Sequence, residues 1–253
     1  MKRVDICNVP VSSTNINQAC QTIDIWIRDR KKVYVCVAPV STIVDCQSDE
    51  EYKRILEGAD MITPDGMPLV WMAKFMGDKN IERTYGPDLM LALCEQGQEK
   101  GYKHYLYGGT ENTCSLLKNV LKTRFPNIVI SGYYAPPFRS SSDQEDQKVI
   151  DEINKSTPDI LWVGLGSPKQ DYWMVHHRDR LNVPVMIGVG AAFDFLAGVK
   201  KQAPRWMRNA GLEWFFRLCS EPKRLWKRYL VGNAKFLYLA SKHIIKVRLG
   251  AKK

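Results

Sequence analysis

A short apolar run leads directly into a glycine turn and a helix start in Ile160-Leu161-Trp162-Val163-Gly164-Leu165-Gly166-Ser167-Pro168-Lys169-Gln170. The same order of strand, glycine and helix recurs at Tyr107-Gly108-Gly109-Thr110 and at Val189-Gly190-Ala191-Ala192. Apolar strands that alternate with helices are typical of a parallel sheet covered by helices on both faces. We therefore predict an α/β fold in which ligands bind beyond the carboxyl ends of the strands.

This alternation extends over the first 200 residues. β-branched and aromatic runs predict strands at Val33–Val37, His104–Tyr107, Ile128–Ile130, Ile160–Leu165 and Val185–Val189, and a further short strand just before Asp65. Amphipathic stretches predict helices near 15–29, 42–57, 86–100, 110–124, 144–155 and 168–178.

The charge of the chain is concentrated at its C-terminal end. The whole sequence has 37 Lys and Arg against 27 Asp and Glu, but residues 200–253 hold 15 of the bases and only two of the acids, Glu213 and Glu221. Such a segment attracts polyanions, which include nucleic acid, an anionic membrane surface and phosphate-bearing substrates. We predict a catalytic domain over 1–199 and a basic helical appendage over 200–253.

The appendage also has an apolar stripe at helical spacing, formed by Trp226, Leu230, Leu237, Ala240, Ile244 and Val247. Pro222 suits the first turn of a helix, with Ser220 as its cap. Two interpretations remain open: a basic helix packed on its own domain, or an interfacial helix on anionic lipid.

Several function classes lack support. The N-terminal residues contain no apolar run typical of a signal peptide, and the apolar stretch at 236–247 is too short and too charged to span a bilayer. Seven cysteines without paired spacing indicate reduced thiols in a cytosol. The histidines form no zinc pattern and no Asp-x-Asp follows a strand, so we expect neither a metal nor a cofactor.

Asp65 is the best catalytic candidate, in Thr63-Pro64-Asp65-Gly66-Met67-Pro68. It follows a predicted strand, and a helix is expected to begin at Met67 or Pro68. A carboxylate at that place points toward the ligand crevice of a parallel sheet. An isolated Asp-Gly pair is usually only a turn, but the neighbouring glycine loops favour a functional role.

Two further segments have features of a phosphate site. Amides at the helix start after Gly164 and Gly166, with Lys169, would suit a diphosphate. The segment lacks the third glycine of a dinucleotide fingerprint, and it is not a P-loop. Gly86-Pro87-Asp88 opens another helix, where Asp88 is either a cap or a ligand contact.

Arginines provide the third candidate group. Arg217, Arg224 and Arg228 would share one face if they lay on a single helix, although Pro222 is a candidate interruption. Guanidinium groups match diphosphate oxygens well, and interleaved tryptophans at 206, 214 and 226 are equally compatible with nucleic-acid binding.

Taken together, the motifs resemble the WecG/TagA/CpsF family of bacterial glycosyltransferases. The resemblance runs from about Val33 to about Leu230 and is carried by residues 63–68, Arg83-Thr84-Tyr85-Gly86-Pro87-Asp88-Leu89, residues 164–170, residues 190–198, Ala203-Pro204-Arg205-Trp206, Gly211-Leu212-Glu213-Trp214 and Glu221-Pro222. It implies a Rossmann-like fold and an inverting, metal-independent transfer of a sugar, of the N-acetylmannosamine type or a related hexose, from a UDP-sugar to a polyprenyl-diphosphate-linked sugar. The resemblance further implies a peripheral protein on the inner face of the bacterial plasma membrane.

The resemblance also implies roles for individual residues. Asp65 is the expected base. The donor is expected to contact Thr63, Gly86, Asp88, Gly108, Gly109, Gly164, Gly166, Ser167, Lys169, Gln170 and Asp194. The acceptor diphosphate is expected to contact Ser41, Thr42, Arg83, Arg205, Arg217, Arg224 and Arg228. Ser41 and Thr42 stand where relatives commonly carry Thr-x-Asn or His/Asn after the first strand, which leaves the identity of the transferred sugar open.

Two alternatives to this function are a non-catalytic basic protein that binds nucleic acid and a nicotinamide-dependent oxidoreductase. Neither accounts for the full motif set, so we expect UDP-sugar, lipid-linked acceptor and anionic membrane as partners and no nucleic acid. Oligomeric state is left open, and a homo-oligomer is compatible with the sequence.

Overall fold

The computed structural model describes residues 1–137 and 142–250, with side chains described as far as residue 247. Its strands are β1 (Arg3–Ile6), β2 (Val9–Ser12), β3 (Val33–Ala38), β4 (Met61–Pro64), β5 (Lys103–Gly108), β6 (Val129–Tyr134), β7 (Ile160–Gly164) and β8 (Val185–Gly188). Its helices up to residue 200 are α1 (Ile16–Arg28), α2 (Val40–Asp45), α3 (Glu50–Glu57), α4 (Met67–Phe75), α5 (Gly86–Lys100), α6 (Glu111–Arg124), α7 (Asp143–Ser156), α8 (Lys169–His177) and α9 (Ala192–Leu196).

In the described residues that follow Pro204, the C-terminal segment is helical apart from short breaks at residues 210–212 and at Glu221. It contains α10 (Arg205–Asn209), α11 (Glu213–Ser220), α12 (Pro222–Trp226), a π-helical turn (Lys227–Val231) and α13 (Gly232–Gly250). The last three residues of the predicted appendage lie outside the described part of the chain.

The predicted α/β fold is confirmed. Six strands form one sheet in the order β4-β3-β8-β7-β5-β6, and the strand pairs from β3 to β6 run parallel. All six residues of β3 are buried, as expected for a parallel strand covered on both faces. The fold is Rossmann-like, with helices alternating with the strands along the chain.

Contacts divide the chain into two compact units. Unit 1 comprises Met1–Asn15, Ala38–Tyr85 and Gln202–Lys253, and unit 2 comprises Ile16–Val37 and Gly86–Lys201. The basic C-terminal segment therefore packs with the segments that carry β4 and α2. In unit 1, Leu225 and Phe236 are buried although they belong to this segment.

Two local predictions were wrong, and a third arrangement, which the sequence left conditional on Pro222, does not occur. The stretch predicted as one helix near 42–57 is two helices, because the carboxylate of Asp49 accepts a hydrogen bond from the amide of Tyr52 and starts α3 anew. Ser220 does not cap α12, since its hydroxyl donates back to the carbonyl of Phe216 within α11. Arg217 and Arg224 do not share a helix, because α11 ends at Ser220 and Pro222 begins α12.

The hairpin of β1 and β2 was not predicted. Its two turn residues, Cys7 and Asn8, both have positive φ values, 52° and 64°, which is the conformation of a type I′ turn. The sequence lacks the glycine that usually occurs in a turn of this type.

The core of unit 2 contains a fully buried histidine. The Trp162 indole N–H donates to Nδ1 of His104 over 3.1 Å, while Nε2 of His104 has no hydrogen-bond partner among the described residues. Burial lowers the pKa of His104 from 6.5 to about 4, so the folded protein holds this ring neutral.

This histidine should make stability depend on pH. The unfolded chain binds a proton near pH 6.5 that the folded chain takes up only near pH 4, so the free energy of unfolding should fall as pH drops between these values. His104 should account for about 2 kcal/mol of the difference between pH 7.5 and pH 5. His104→Asn keeps an acceptor for Trp162. In urea unfolding of this variant, the pH dependence of the free energy of unfolding should be smaller by that amount. The exposed His176→Asn should retain it, and equal pH dependence in the two variants would contradict the assignment.

Candidate functional site

Asp65 lies at the carboxyl end of β4, directly after four buried residues. Gly66 caps α4, and Pro68 occupies its first turn, so the chain must change direction at the aspartate. The amide of Asp65 donates to the carbonyl of Ala38 over 3.1 Å, and its own carbonyl accepts from Nε of Arg83. Hydrogen bonds thus hold both the amide and the carbonyl of Asp65. They fix the backbone position from which the half-buried side chain projects.

Arg83 links this turn to the C-terminal segment within unit 1. Its Nη2 donates to Oε2 of Glu213 over 2.5 Å, and its Nη1 donates to the carbonyl of Arg208 over 3.3 Å. Burial disfavours the charged form, but Asp65 and Glu213 together raise the pKa of Arg83 above its ordinary value. The guanidinium is therefore a permanent positive charge near the Asp65 carboxylate.

Tyr85 forms the floor of this group. The centroid of its ring lies 4.1 Å from the guanidinium carbon of Arg83. Its hydroxyl donates to Oε1 of Glu213 over 2.9 Å and accepts from Nε2 of Gln202 over 3.0 Å. Burial, with the negative charges of Glu213 and Asp65, raises the pKa of Tyr85. The tyrosine thus remains a protonated hydrogen-bond donor.

Two of the predicted acceptor contacts meet in unit 1. Both Nε and Nη2 of Arg228 donate to the hydroxyl of Ser41, over 3.1 Å and 2.7 Å. Thr42 is buried, and its hydroxyl accepts a hydrogen bond from the hydroxyl of Tyr52 at 3.4 Å, whereas Ser41 is half-buried. Thr63 is fully buried, and its hydroxyl has no hydrogen-bond partner among the described residues.

The remaining arginines have separate environments. Arg224 makes a bidentate pair with Glu221, with distances of 2.6 Å and 2.8 Å. Arg217 is half-buried and opposes the burial-driven rise in the pKa of Tyr229. Arg205 begins α10 and is exposed.

The predicted phosphate turn lies in unit 2. Strand β7 ends at Gly164, Gly166 adopts φ +79°, and α8 begins at Lys169, whose side chain is exposed. A methyl group at Gly164 would lie 2.7 Å from the ring of Phe193, whereas one at Gly166 would meet no atom within 4 Å. Gly164 is therefore required for packing, and Gly166 for the left-handed turn.

Gln170 braces this turn with both ends of its amide. Its Oε1 accepts from the amide of Gly166 over 3.1 Å, and its Nε2 donates to the hydroxyl of Ser167 over 3.2 Å. The side chain is 2% exposed. In this structure the buried side chain of Gln170 stabilises the turn through these two hydrogen bonds.

The other predicted donor residues of unit 2 lie at three places. Gly108 ends β5 opposite Gly164 and Gly109 follows it, and a methyl group at Gly108 would lie 2.6 Å from the Gly164 backbone. Gly86 is buried at the start of α5, and Asp88 is exposed in its first turn. Asp194 pairs with Lys200 over 2.9 Å, so its carboxylate is neutralised within the unit.

The sequence pattern of the family described as "Glycosyl transferase WecG/TagA/CpsF family" matches residues 4–250. The chain belongs to this family. Members of the family are glycosyltransferases, and Asp65 lies well inside the matched range. The match confirms the resemblance that residues 63–68 and 164–170 suggested.

Three curated relatives in this family have the same printed name, N-acetylglucosaminyldiphosphoundecaprenol N-acetyl-beta-D-mannosaminyltransferase. The Bacillus spizizenii protein is 30% identical over 86% of this chain and 82% of its own length. The Bacillus subtilis protein is 29% identical over 91% and 88%. A Staphylococcus aureus protein is 26% identical over 99% and 95%.

The described residues contain neither a candidate membrane span nor a candidate metal cluster. None of their helices combines the length and the apolar character needed to cross a membrane. They also hold no cluster of three or more His, Cys, Asp or Glu side chains suited to a metal ion. None of the seven cysteines, all of which are described, forms a disulfide.

Glu213, Tyr85 and Gln202 were not predicted as site residues, although they surround Arg83. A signal existed for Glu213, since it is one of only two acids in a segment with 15 bases. An isolated acid in such a segment requires a partner if it is buried.

The brace at Gln170 can be tested directly. Gln170→Ala removes two buried hydrogen bonds, so we expect a loss of about 1–3 kcal/mol in the free energy of unfolding and faster amide exchange over residues 164–168. The matched control is Gln147→Ala, which removes an exposed amide that bonds Asp151. Unchanged exchange in the turn of Gln170→Ala would show that the glycine conformation holds without it.

Proposed function

We propose that this protein transfers N-acetylmannosamine from a UDP-sugar to polyprenyl-diphosphate-linked N-acetylglucosamine, with inversion at the anomeric carbon and without a metal. The observation that carries this proposal is the position of Asp65, whose backbone Arg83 holds at the end of β4, in a chain that matches the glycosyltransferase family from residue 4 to residue 250. The names of the relatives supply the two sugars.

Asp65 is the proposed general base. Its carboxylate takes the proton from the acceptor hydroxyl as that oxygen attacks the anomeric carbon of the donor sugar. UDP leaves from the opposite side, so an α-linked donor yields a β-linked product. The relatives' names specify a β-mannosaminyl product, which is consistent with this course.

The proposed reaction places negative charge on the departing UDP. Because the proposed reaction uses no metal, protein groups must neutralise that charge. We assign this role to the amides of Gly164–Ser167 with Lys169, and we assign acceptor diphosphate binding to Arg217, Arg224 and Arg228. Arg228 donates two N–H groups to the hydroxyl oxygen of Ser41, and these same guanidinium donors suit phosphate oxygens.

The C-terminal segment is the proposed membrane contact. Its described residues include exposed large apolar side chains, with Leu237 69% exposed and Tyr238 67% exposed. Trp226 and Leu230 are also more than half exposed. Apolar side chains among many lysines and arginines are typical of helices that lie in an anionic lipid surface.

The base assignment predicts a large loss of activity. Asp65→Asn keeps the size of the side chain but cannot accept the proton, so turnover should fall by roughly 10²–10⁴-fold. The assay combines UDP-N-acetylmannosamine with a synthetic lipid-diphosphate N-acetylglucosamine, and nuclear magnetic resonance of the product reports the anomeric configuration.

Asp60→Asn is the matched control, because Asp60 precedes the same strand and should leave turnover unchanged. Normal turnover in Asp65→Asn would remove the base assignment. An α-linked product would contradict inversion at the anomeric carbon. Transfer of a different sugar from a panel of UDP-sugars would contradict the assignment of N-acetylmannosamine as the donor sugar.

The membrane assignment predicts vesicle binding through exposed side chains. Trp226→Ala with Leu237→Ala removes apolar groups of about 1.5–3 kcal/mol each, so affinity for vesicles rich in anionic lipid should fall at least about tenfold. Leu116→Ala with Val120→Ala removes two exposed apolar groups of α6 and is the control. Cosedimentation that is equal for both double variants would argue against this contact.

A further inference from the structure

Glu213 uses both of its carboxylate oxygens inside unit 1. Oε2 accepts from Nη2 of Arg83 over 2.5 Å, and Oε1 accepts from the hydroxyl of Tyr85 over 2.9 Å. The side chain is only 13% exposed, and that of Arg83 only 15%. A carboxylate that accepts from two donors at this depth has its position defined by both partners.

Arg83 connects Glu213 to the turn of the proposed base. One guanidinium holds three acceptors that are distant in sequence: the backbone carbonyl of Asp65, the backbone carbonyl of Arg208 and the Glu213 carboxylate. The ring of Tyr85 lies against its face, with the guanidinium carbon 4.1 Å from the centroid. The planar guanidinium has donors in fixed directions, so it fixes its acceptors relative to one another better than a flexible ammonium group would.

We propose that Glu213 is a positioning residue for the sugar transfer: it fixes the guanidinium of Arg83, and Arg83 fixes the backbone from which the Asp65 carboxylate projects. The C-terminal segment thereby supports the proposed base as well as the membrane contact. This inference rests on the proposed function, since the position of Asp65 matters in this way only if Asp65 is the base.

The arrangement is costly as a purely stabilising device. Nearly buried ion pairs often stabilise a fold no better than apolar residues of the same volume, because both charges lose their hydration. Such a pair does define geometry, however, since each donor and acceptor direction is satisfied at one position only. A displacement of about 1 Å at a reacting group is enough to slow catalysis about 10²-fold.

A second acidic residue of unit 1 provides the matched control. Asp78 is also buried, and its carboxylate bonds Lys2, Ser13 and the amide of Asn80, all at 2.9–3.0 Å. None of these partners belongs to the group around Arg83. Asp78→Asn therefore removes the charge of a buried carboxylate, which pairs with the exposed Lys2, without touching the proposed base.

The decisive comparison is between Glu213→Gln and Asp78→Asn in the full-length protein. We expect both variants to lower Tm, but only Glu213→Gln should lower kcat, by about 10²-fold, while KM for each substrate changes by less than about threefold. If kcat in Glu213→Gln falls no further than in Asp78→Asn, Glu213 only stabilises the fold.

A double-mutant cycle tests whether the effect passes through Arg83. Because Glu213 and Arg83 act as one unit, Glu213→Gln combined with Arg83→Gln should lose no more kcat than the worse single variant. Fully additive losses would mean that Glu213 acts by another route and would overturn the proposal.

Amide exchange separates this inference from the proposed function. Mass spectrometry should show faster exchange over residues 62–69 in Glu213→Gln and unchanged exchange there in Asp78→Asn. A wild-type protein that transfers no sugar would remove the proposed function, and the exchange comparison would still decide whether Glu213 holds the Asp65 turn. Equal exchange in both variants would overturn the link whatever the activity.

Discussion

The hydrogen bonds of the Arg83 guanidinium are the constraint on which the proposed catalytic group depends. One side chain binds the backbone of Asp65, the backbone of Arg208 and the carboxylate of Glu213. The three acceptors come from the end of a strand and from two helices of the C-terminal segment. The conformation of the turn after β4 therefore depends on how this segment packs. Lysine could not replace this arginine, since it lacks the fork of donors that makes the three bonds at once.

Glycine has a different purpose at the strand ends of unit 2. The register places Gly108 opposite Gly164 and Gly188 opposite Val163, so three neighbouring strands end without side chains. A methyl group at Gly188 would lie 2.8 Å from the amide nitrogen of Gln170. These glycines therefore allow the helix that follows β7 to pack closely on the sheet, and only then can Gln170 reach the turn that it supports.

Sequence patterns predicted the elements whose signal is local. Apolar runs such as β3 and amphipathic stretches such as α5 and α6 were predicted to within a few residues, since their periods are set by their own side chains. The break at Asp49 was missed because a cap and an exposed helical residue have the same polarity. The hairpin turn at Cys7 and Asn8 was missed because its chemistry is atypical.

The candidate site was predicted less completely for a similar reason. Asp65, Gly166 and Arg228 carry motifs that point to their chemistry, but the partners that position them do not. Glu213 and Arg83 are 130 positions apart, and no periodicity reports such a pairing. The direction of Gln170, which faces inward to Gly166 and Ser167, likewise depends on how α8 packs and is invisible in the motif itself.

The π-helical turn at Lys227–Val231 has a consequence for how the last helix can vary. A π turn accommodates one residue more than an α-helical turn, and each residue of an α-helix advances about 100° around its axis. Shortening this turn by one position would rotate every later side chain of α13 relative to α12, even with an identical composition. Chain length at this joint, as much as hydrophobicity, therefore decides which side chains of the terminal helix point outward, and natural variants should tolerate exchanges here far better than single deletions.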